Sequence, residues 1–347
     1  MKKTISFILL TTMFCLSIFA GQPKHEFRAT WLATVSGIDW PKTKATSDSK
    51  REQQKQELID ILDKMKAGNM NAVCMQVRSL CDAMYVSSYE PWSAALTGTR
   101  GKDPGYDPLQ FAIDETHKRG MELHVWVNPF RVGTISTSDV LWSNAGDWLI
   151  KYNNSSFSGY IIDPGYPESR AYVVKVLMDI VNKYDIDGII FDDYFYKSMP
   201  DNAYATNETR QTTENNPYDL NINDWRRENV DKMVADVYNM VQETRPEVRF
   251  GIAPPGTAGA SASKYGLSTW PGGYDTQYTS LYSDPLSWMN KGIVDYMSPQ
   301  IYWHNDHSMA SFGKISNWWY GLAKHFKNVH CSISVNIYDL AQAMGYQ

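Results

Sequence analysis

Short apolar runs alternate with amphipathic stretches along most of the chain after residue 27. In the stretch 49–67, Leu58, Leu62 and Met65 recur at helical spacing, and Gly68 follows as a helix stop. The shorter, nearly continuous apolar runs are typical of parallel strands that are covered on both faces. The pattern predicts seven strands, at 28–35, 71–77, 122–127, 188–191, 248–252, 293–297 and 330–335, and helices that include 49–67, 108–119, 167–184 and 225–244.

The repeated strand–helix order predicts an α/β fold, a (β/α)8 TIM barrel that forms one domain over residues 21–347. Polar residues follow most of the strands, and in a barrel these carboxyl ends converge on one face, whereas a doubly wound sheet has a single switch point. These residues are Ser36 and Asp39, Gln76 and Arg78, Asn128 and Arg131, Asp192 and Asp193, Gln300 with Tyr302 and Trp303, and Asn336 with Tyr338. The face that they share is the expected place of a site.

We expect the barrel to lack its eighth strand, because only residues 336–347 follow the seventh. Two sheet edges with unpaired backbone groups would then remain, which favours aggregation, dimerisation through the open edge or low stability. The alternative is that 159–162 serves as a further barrel strand, although it is short and lies between Gly159 and Pro164.

Residues 1–20 have the pattern of a secretory signal peptide, since Lys2 and Lys3 precede an apolar run that ends at Ala20 and Gly21. A membrane anchor is the alternative, but no stop-transfer flank follows the run. Cleavage near Ala20 would export the mature protein to the periplasm or the medium. Three cysteines then remain, an odd number that cannot all pair internally.

Composition narrows the classes of partner. The chain has 347 residues with a formal net charge of −5, and it carries no large cluster of Lys or Arg, which argues against a nucleic acid partner. No segment after residue 20 is long and apolar enough to integrate into a membrane. Aromatic residues make up 13% of the chain, and their rings suit a groove on which the faces of sugars stack.

Several catalytic classes lack the loops that they require. The chain has no G-x-S-x-G, P-loop or G-x-G-x-x-G motif, which excludes the serine hydrolase elbow and the usual nucleotide loops. His304 and His307 are the nearest approach to a pair of metal ligands, but one H-x-x-H in a loop is a weak signal. We therefore expect neither a metal ion nor a cofactor.

The strongest candidate site is the run 187–196, in which an apolar strand leads to Asp192, Asp193, Tyr194 and Tyr196. Glycoside hydrolysis needs two carboxyl groups, one protonated and one ionised, and phenols nearby can tune their pKa values or bond a sugar. Neighbouring side chains diverge in a strand, so these carboxyl groups come together only if the strand has ended. The alternative is that one Asp caps a loop or pairs with an arginine.

Ordered motifs across residues 26–319 resemble those of the glycosyl-hydrolase-like family ten. The motifs are 28–36 (RATWLATVS), 39–41 (DWP), 104–109 (PGYDPL), 117–121 (HKRGM), 125–131 (VWVNPFR), 163–165 (DPG), 187–196 (DGIIFDDYFY), 225–227 (WRR) and 298–303 (SPQIYW). Family ten consists of exported bacterial barrels and includes the division-site hydrolase of denuded peptidoglycan glycans. The resemblance implies a TIM barrel that cleaves glycosidic bonds in the bacterial envelope, with the aspartates after the fourth strand in its active site. It also implies an eighth strand and a final helix beyond the seventh strand.

We therefore predict an exported glycoside hydrolase of cell-wall glycan strands, with Asp192 and Asp193 as its catalytic residues. Spacing does not identify a second catalytic carboxyl group with certainty, and Asp163 is alternatively a turn cap. The predicted substrate-binding residues are Gln76, Arg78, Asn128, Arg131, Asp163, Tyr194, Tyr196, Gln300 and Tyr302, with Trp40 and Trp303, and also Trp31 and Trp126, as stacking candidates. The alternatives are a carbohydrate-binding barrel without turnover and a glycosidase that acts on other polysaccharides.

Overall fold

The computed structural model describes residues 26–154, 157–196, 212–269 and 277–335. The predicted signal peptide and the residues after 335 lie outside this part of the chain. The strands are β1 Ala29–Leu32, β2 Ala72–Arg78, β3 Glu122–Val127, β4 Arg131–Gly133, β5 Leu149–Asn154, β6 Phe157–Ile162, β7 Gly188–Phe191, β8 Arg249–Ile252, β9 Tyr296–Met297 and β10 His330–Cys331.

Seven of these strands form one curled parallel sheet, in the order β1, β2, β3, β7, β8, β9 and β10. Each of the seven predicted strands is present near its predicted position, and β7 has the predicted bounds. The sheet has the topology of a partly closed βα barrel, which confirms the predicted fold class. The last two strands are shorter than predicted: β9 and β10 each have only two residues in the ladder.

The α-helices of the described residues lie between the strands along the chain. They are α1 Asp48–Ala67, α2 Ala94–Thr97, α3 Pro108–Lys118, α4 Val140–Ala145, α5 Pro167–Lys183, α6 Ile222–Thr244, α7 Pro285–Lys291 and α8 Phe312–His325. Side-chain caps set several of their starts. Asp107 accepts from the Leu109 N–H before α3. Asn221 accepts from the Asn223 and Asp224 N–H groups before α6, which begins three residues earlier than predicted. None of the helices in these ranges combines the length and apolarity that a membrane crossing requires.

A second, antiparallel sheet of three strands, in the order β4, β6, β5, lies in the connection between β3 and α5. Its middle strand, β6, includes residues 159–162, so the alternative that this segment is an extra barrel strand is wrong. The reason is local pairing, because β6 is hydrogen-bonded on one edge to β4 and on the other to β5. Ile161 and Ile162 bury their side chains, which accounts for the apolar character of the run.

The two edges of the large sheet are β1 and β10, and no ladder joins them in the described residues. Side chains cross between them instead. Ser332 Oγ donates to the Phe27 carbonyl at 3.3 Å, and Trp31 Nε1 donates to Ser334 Oγ at 3.3 Å. In the described residues the seventh strand of this sheet therefore contacts the first without a backbone ladder, and the expectation of a missing eighth strand stays a prediction.

Two glycines make room for large side chains inside the curled sheet. Gly188 is the cross-strand neighbour of His124, and Gly251 is the neighbour of Tyr296. A Cβ at either glycine would overlap with the facing ring. His124 Nδ1 and the Tyr296 hydroxyl share a hydrogen bond of 2.8 Å. Since burial lowers the pKa of His124, a neutral imidazole and a phenol fill this part of the interior.

Candidate active site

The carboxyl group of Asp192 lies at the carboxyl end of β7, directly after the last strand residue. Its Oδ2 accepts hydrogen bonds from Trp126 Nε1 at 3.1 Å and from Asn128 Nδ2. Its Oδ1 accepts one from the Tyr194 N–H at 3.3 Å. These donors are neutral, and Asp192 is only 4% exposed. The carboxyl group is thus held by hydrogen bonds rather than by an arginine.

Asp193 is half-buried, and its charge acts on Asp192. Burial and the charge of Asp193 raise the pKa of Asp192 to about 7. Burial also raises the pKa of Asp193, while hydrogen bonds from its own backbone and from the Gln300 amide oppose that rise. Two neighbouring carboxyl groups disfavour each other's ionisation, so they release their protons in separate steps. The pair therefore offers both protonation states that acid–base hydrolysis requires.

Two phenols and a guanidinium border the exposed side of the pair. Tyr194 and Tyr302 are 45% and 41% exposed. Burial and the charges of the two aspartates raise the pKa of Tyr194, and they raise that of Tyr302 to about 12. The Arg131 guanidinium lies 5.4 Å from the centre of the Tyr194 ring. These residues and the half-buried Gln300 stand where a substrate could reach the pair, so their role in binding stays a prediction.

Three predicted substrate-binding residues are instead fully buried. Gln76 Nε2 donates to Asn128 Oδ1 at 2.8 Å, so these amides bond to each other. Arg78 forms an ion pair of 2.6 Å with Glu90 and donates to the Asn128 carbonyl at 2.6 Å. Gln76, Arg78 and Asn128 therefore hold the strand ends and Asp192 in place, and the prediction that they contact substrate needs this correction.

Trp40 lies in the core, not at the mouth of the barrel. The Asp39 and Trp40 N–H groups both donate to the Ala33 carbonyl, which folds the loop back after β1. The indole is fully buried, and its Nε1 donates to the Gln54 carbonyl at 2.9 Å. A ring in this position cannot stack on a sugar, so Trp40 is withdrawn as a stacking candidate.

Asp163 and Tyr196 belong to a separate buried polar cluster. Asp163 Oδ1 accepts from the Gly165 N–H at 2.8 Å, so the alternative role as a turn cap is the observed one. Burial raises the pKa of Asp163 to about 6, against the hydrogen bond from Gly165 and the charges of two arginines. The buried Tyr196 ring packs against Tyr282, with 5.6 Å between ring centres, and the Arg226 guanidinium lies over both. Neither residue is exposed to a ligand here.

The remaining tryptophan candidates are all half-buried and differ in their contacts. Trp31 and Trp126 pack edge to face at 5.0 Å, and the Trp303 ring lies 6.2 Å from that of His307. His307 Nδ1 accepts from the Ala310 N–H. The described ranges hold no group of three or more His, Cys, Asp or Glu side chains able to bind a metal ion. Trp31, Trp126 and Trp303 stay stacking candidates.

Sequence reasoning missed the contact between the Trp126 indole and Asp192. The signal was available in the alternation of β3, because Trp126 and Asn128 are two residues apart and so point to the same face. Trp126 pairs in register with Ile190 of β7, two residues before Asp192. A donor at position 126 could therefore have been assigned to the carboxyl group after β7.

Replacing Asp192 with Asn is expected to raise the free energy of unfolding, and to raise it more as pH increases from about 4 to 7. In the unfolded chain the carboxyl group titrates at about 3.9, whereas in the folded chain its pKa is about 7. Over this window the folded state keeps a proton that the unfolded state has released, so stability falls with rising pH. Asn does not titrate, and urea unfolding from pH 4 to 8 measures the difference. An advantage that does not depend on pH would contradict this expectation.

Comparison with known families decides the class of the protein. The model of a family described as glycosyl hydrolase-like 10 matches residues 26–345. The chain belongs to the glycosyl hydrolase-like 10 family. This confirms the resemblance found in the sequence motifs.

Two relatives of this glycosyl hydrolase-like 10 chain match over most of its length. Glycosyl hydrolase YngK of Bacillus subtilis (strain 168) is 37% identical over 351 residues, which cover 97% of this chain and 66% of the relative. Glycosyl hydrolase DigH of Escherichia coli (strain K12) is 35% identical over 325 residues, which cover 87% of this chain and 71% of the relative. The chain therefore spans about two thirds of the length of these relatives.

A solved structure shares the fold of this family member. The glycoside hydrolase domain of PgaB (BpsB) from Bordetella bronchiseptica aligns with a TM-score of 0.56 at 10% identity, over 88% of this chain and 83% of that domain. At this identity the likeness shows the fold alone. The family and the fold together confirm the predicted class, a glycoside hydrolase with a TIM-barrel type of sheet.

Proposed function

We propose that this protein is an exported glycoside hydrolase that cleaves the glycan strands of bacterial peptidoglycan, including strands that lack stem peptides. The observation that carries the proposal is the carboxyl pair at the carboxyl end of β7, formed by the buried Asp192 and the half-buried Asp193. In the proposed reaction the protonated member of the pair donates to the leaving oxygen. The ionised member stabilises the positive charge that develops at the anomeric carbon, water then adds to this carbon, and the proton that the water loses restores the acid.

The groups around the pair support a sugar as the substrate. Tyr194 and Tyr302 present hydroxyl groups and ring faces beside the two carboxyl groups. The Gln300 Oε1 can accept a hydrogen bond from the N–H of an acetamido group, while its Nε2 donates to the Ala253 carbonyl and to Asp193. Arg131 adds a positive charge near Tyr194, which suits the carboxylate that peptidoglycan glycans carry.

Two alternatives make different predictions. A glycosidase that acts on other polysaccharides would use the same carboxyl pair, because the pair does not define which sugar is bound. A carbohydrate-binding barrel would hold the glycan without turnover. The raised pKa values of the carboxyl pair favour catalysis, since a binding site gains nothing from two carboxyl groups that are costly to ionise.

The experiment that tests the proposal is product release from purified glycan strands. Denuded peptidoglycan strands, intact peptidoglycan and a panel of plant and host glycans are each incubated with the protein, and soluble fragments are measured by chromatography. Release from peptidoglycan strands alone supports the proposal. Release from another glycan favours the first alternative, and binding without release favours the second. Asp192→Asn serves as the inactive control in every reaction.

Trp303→Ala is expected to weaken the binding of glycan fragments about two- to tenfold, because a stacked ring contributes roughly 0.5–1.5 kcal/mol. Trp318→Ala is the matched control, since this ring lies on α8 and its Nε1 donates to the Ser268 carbonyl. Calorimetric titration measures both. Salt between low and physiological concentration should change the affinity little, and a steep salt dependence without an effect of Trp303→Ala would contradict the role of stacking.

A further inference from the structure

Three buried side chains from neighbouring strands form a hydrogen-bonded chain that ends at Asp192. Gln76 of β2 donates to Asn128 after β3, and Asn128 donates to Asp192 after β7. All three are at least 95% buried. We call Gln76, Asn128 and Asp192 the amide relay. An amide has a donor end and an acceptor end, so each member of the relay constrains the orientation of the next.

Backbone groups determine the direction of the relay. Gln76 Oε1 accepts the Thr34 N–H at 3.0 Å and the Val35 N–H at 2.9 Å. A backbone N–H can only donate, so the oxygen of Gln76 must face residues 34 and 35. Its Nε2 must then face Asn128, which has to turn its own oxygen toward Gln76 and its nitrogen toward Asp192. The orientation of the Asn128 amide therefore follows from the segment after β1.

This orientation makes the two oxygens of Asp192 unequal. Oδ2 accepts from both Asn128 Nδ2 and Trp126 Nε1, which occupy both of its lone-pair sites. Oδ1 accepts only the longer bond from the Tyr194 N–H, at 3.3 Å. A proton on Oδ2 would point at the two N–H donors that this oxygen already accepts. Oδ1 has a lone-pair site that no hydrogen bond occupies. Only Oδ1 can gain or lose a proton without breaking the relay.

We propose that Gln76 is a positioning residue that orients Asn128, keeps Asp192 Oδ2 as a permanent acceptor and leaves Oδ1 as the oxygen through which Asp192 exchanges its proton. That this exchange serves catalysis rests on the proposed function. The orientation itself does not, because it is measured in the protein without substrate.

Other titratable groups face Asp192 and contribute to its titration. Asp193 acts on it directly, and the charge of Asp192 acts on Tyr194 and on Tyr302 from the loop after β9. Arg131, after β3, lies over the Tyr194 ring. Gln76 and Asn128 are neutral donors. Their effect on the titration of Asp192 can be separated from that of the four charged or titratable groups by a variant that leaves those four groups unchanged.

Neutron diffraction of the unsubstituted protein at pH 5 tests the proposal directly. At this pH the carboxyl group of Asp192 is protonated, since its pKa in the folded chain is about 7. We expect a deuteron on Oδ1 and the deuterated amide of Asn128 directed at Oδ2. A deuteron on Oδ2, no deuteron on either oxygen, or the Asn128 oxygen facing Asp192 would each overturn the proposal. This measurement needs no variant that has to fold.

Gln76→Glu tests the proposal in solution. The carboxylate of Glu can still accept from residues 34 and 35, but it cannot donate to Asn128, which must then turn its oxygen toward Asp192. We expect the midpoint of the Asp192 titration to rise by roughly one pH unit. Carboxyl ¹³C chemical shifts report the midpoint, and Asp192→Asn identifies the signal. Gln54→Glu is the matched control, because this buried glutamine donates to the Thr43 and Leu96 carbonyls outside the relay.

A double-mutant cycle separates the orientation of Asn128 from the charge that Glu introduces. Gln76→Glu is repeated in a chain that carries Asn128→Ala. If the effect passes through Asn128, the rise in the midpoint falls to less than half in this background. An equal rise in both backgrounds shows that the charge acts alone and overturns the proposal, as does the absence of a rise in the single variant.

Discussion

Asp192→Asn and Asp193→Asn are each expected to lower the rate of glycan-strand cleavage by about 10²–10⁴-fold, the usual contribution of an acid or base group. The two carboxyl groups follow β7 directly and influence each other's ionisation. Replacing either one removes a proton donor or a negative charge, and both stabilise the transition state more than they stabilise the bound substrate. The thermal stability of Asp192→Asn should not fall, because the substitution removes a buried ionisable group. Steady-state rates on purified strands and a thermal unfolding curve measure the two effects together.

Asp295→Asn is the matched control for these variants. Asp295 is also a partly buried carboxylate whose pKa is raised by burial, but it precedes β9 and so lies at the opposite end of the sheet from the pair. Its side chain accepts from the Phe250 N–H at 2.7 Å. This variant should keep its turnover number. Near-normal rates in both Asp192→Asn and Asp193→Asn would remove the pair from the mechanism, whatever the control shows.

Glu90→Gln is expected to lower the free energy of unfolding by about 3–5 kcal/mol, the cost of leaving one member of a buried ion pair without its partner. Glu90 accepts two hydrogen bonds from Arg78, at 2.8 and 2.6 Å, and both side chains are fully buried. The Arg78 guanidinium also donates to the Asn128 and Pro129 carbonyls. It therefore cannot leave the interior when its counter-ion is lost. Urea unfolding measures the change.

Glu52→Gln is the control for the buried pair. Glu52 forms an ion pair of 2.8 Å with Lys55 on the surface of α1, where its side chain is 69% exposed. Such pairs contribute less than about 1 kcal/mol, so the control should hardly move the unfolding curve. Equal losses in the two variants would mean that burial does not decide the strength of the Arg78–Glu90 pair.

The regular part of the fold could be predicted because β7 and α3 carry their own start and stop signals. Gly188 and Asp192 bound an apolar run of three residues, and Asp107 with Pro108 begins α3. The ends of β1 and β10 could not be predicted in the same way. The segment after β1 is apolar, but Thr34 and Val35 direct their N–H groups at the Gln76 side chain rather than at a strand.

The candidate site could be located from the sequence, but the exposure of its members could not. Strand ends bring Gln76, Asn128 and Asp192 together, which the sequence predicts. Whether each side chain meets substrate or a neighbour depends on contacts between residues far apart in the chain. Arg78 forms an ion pair with Glu90, and Trp40 donates to the Gln54 carbonyl. Neither pair of residues forms a recognisable sequence motif. Polarity at a strand end therefore predicts the neighbourhood of a site better than it predicts contact with a ligand.

The two glycines inside the curled sheet make residues on adjacent strands depend on each other during evolution. Gly188 faces His124 and Gly251 faces Tyr296, so each pair shares one volume. A side chain can appear at position 188 or 251 only in a lineage where the facing ring has already become smaller. Among homologues these positions should covary, with the large residue on one strand or the other but not on both. A mutational library that varies one position at a time would miss the viable combinations, which lie two substitutions away.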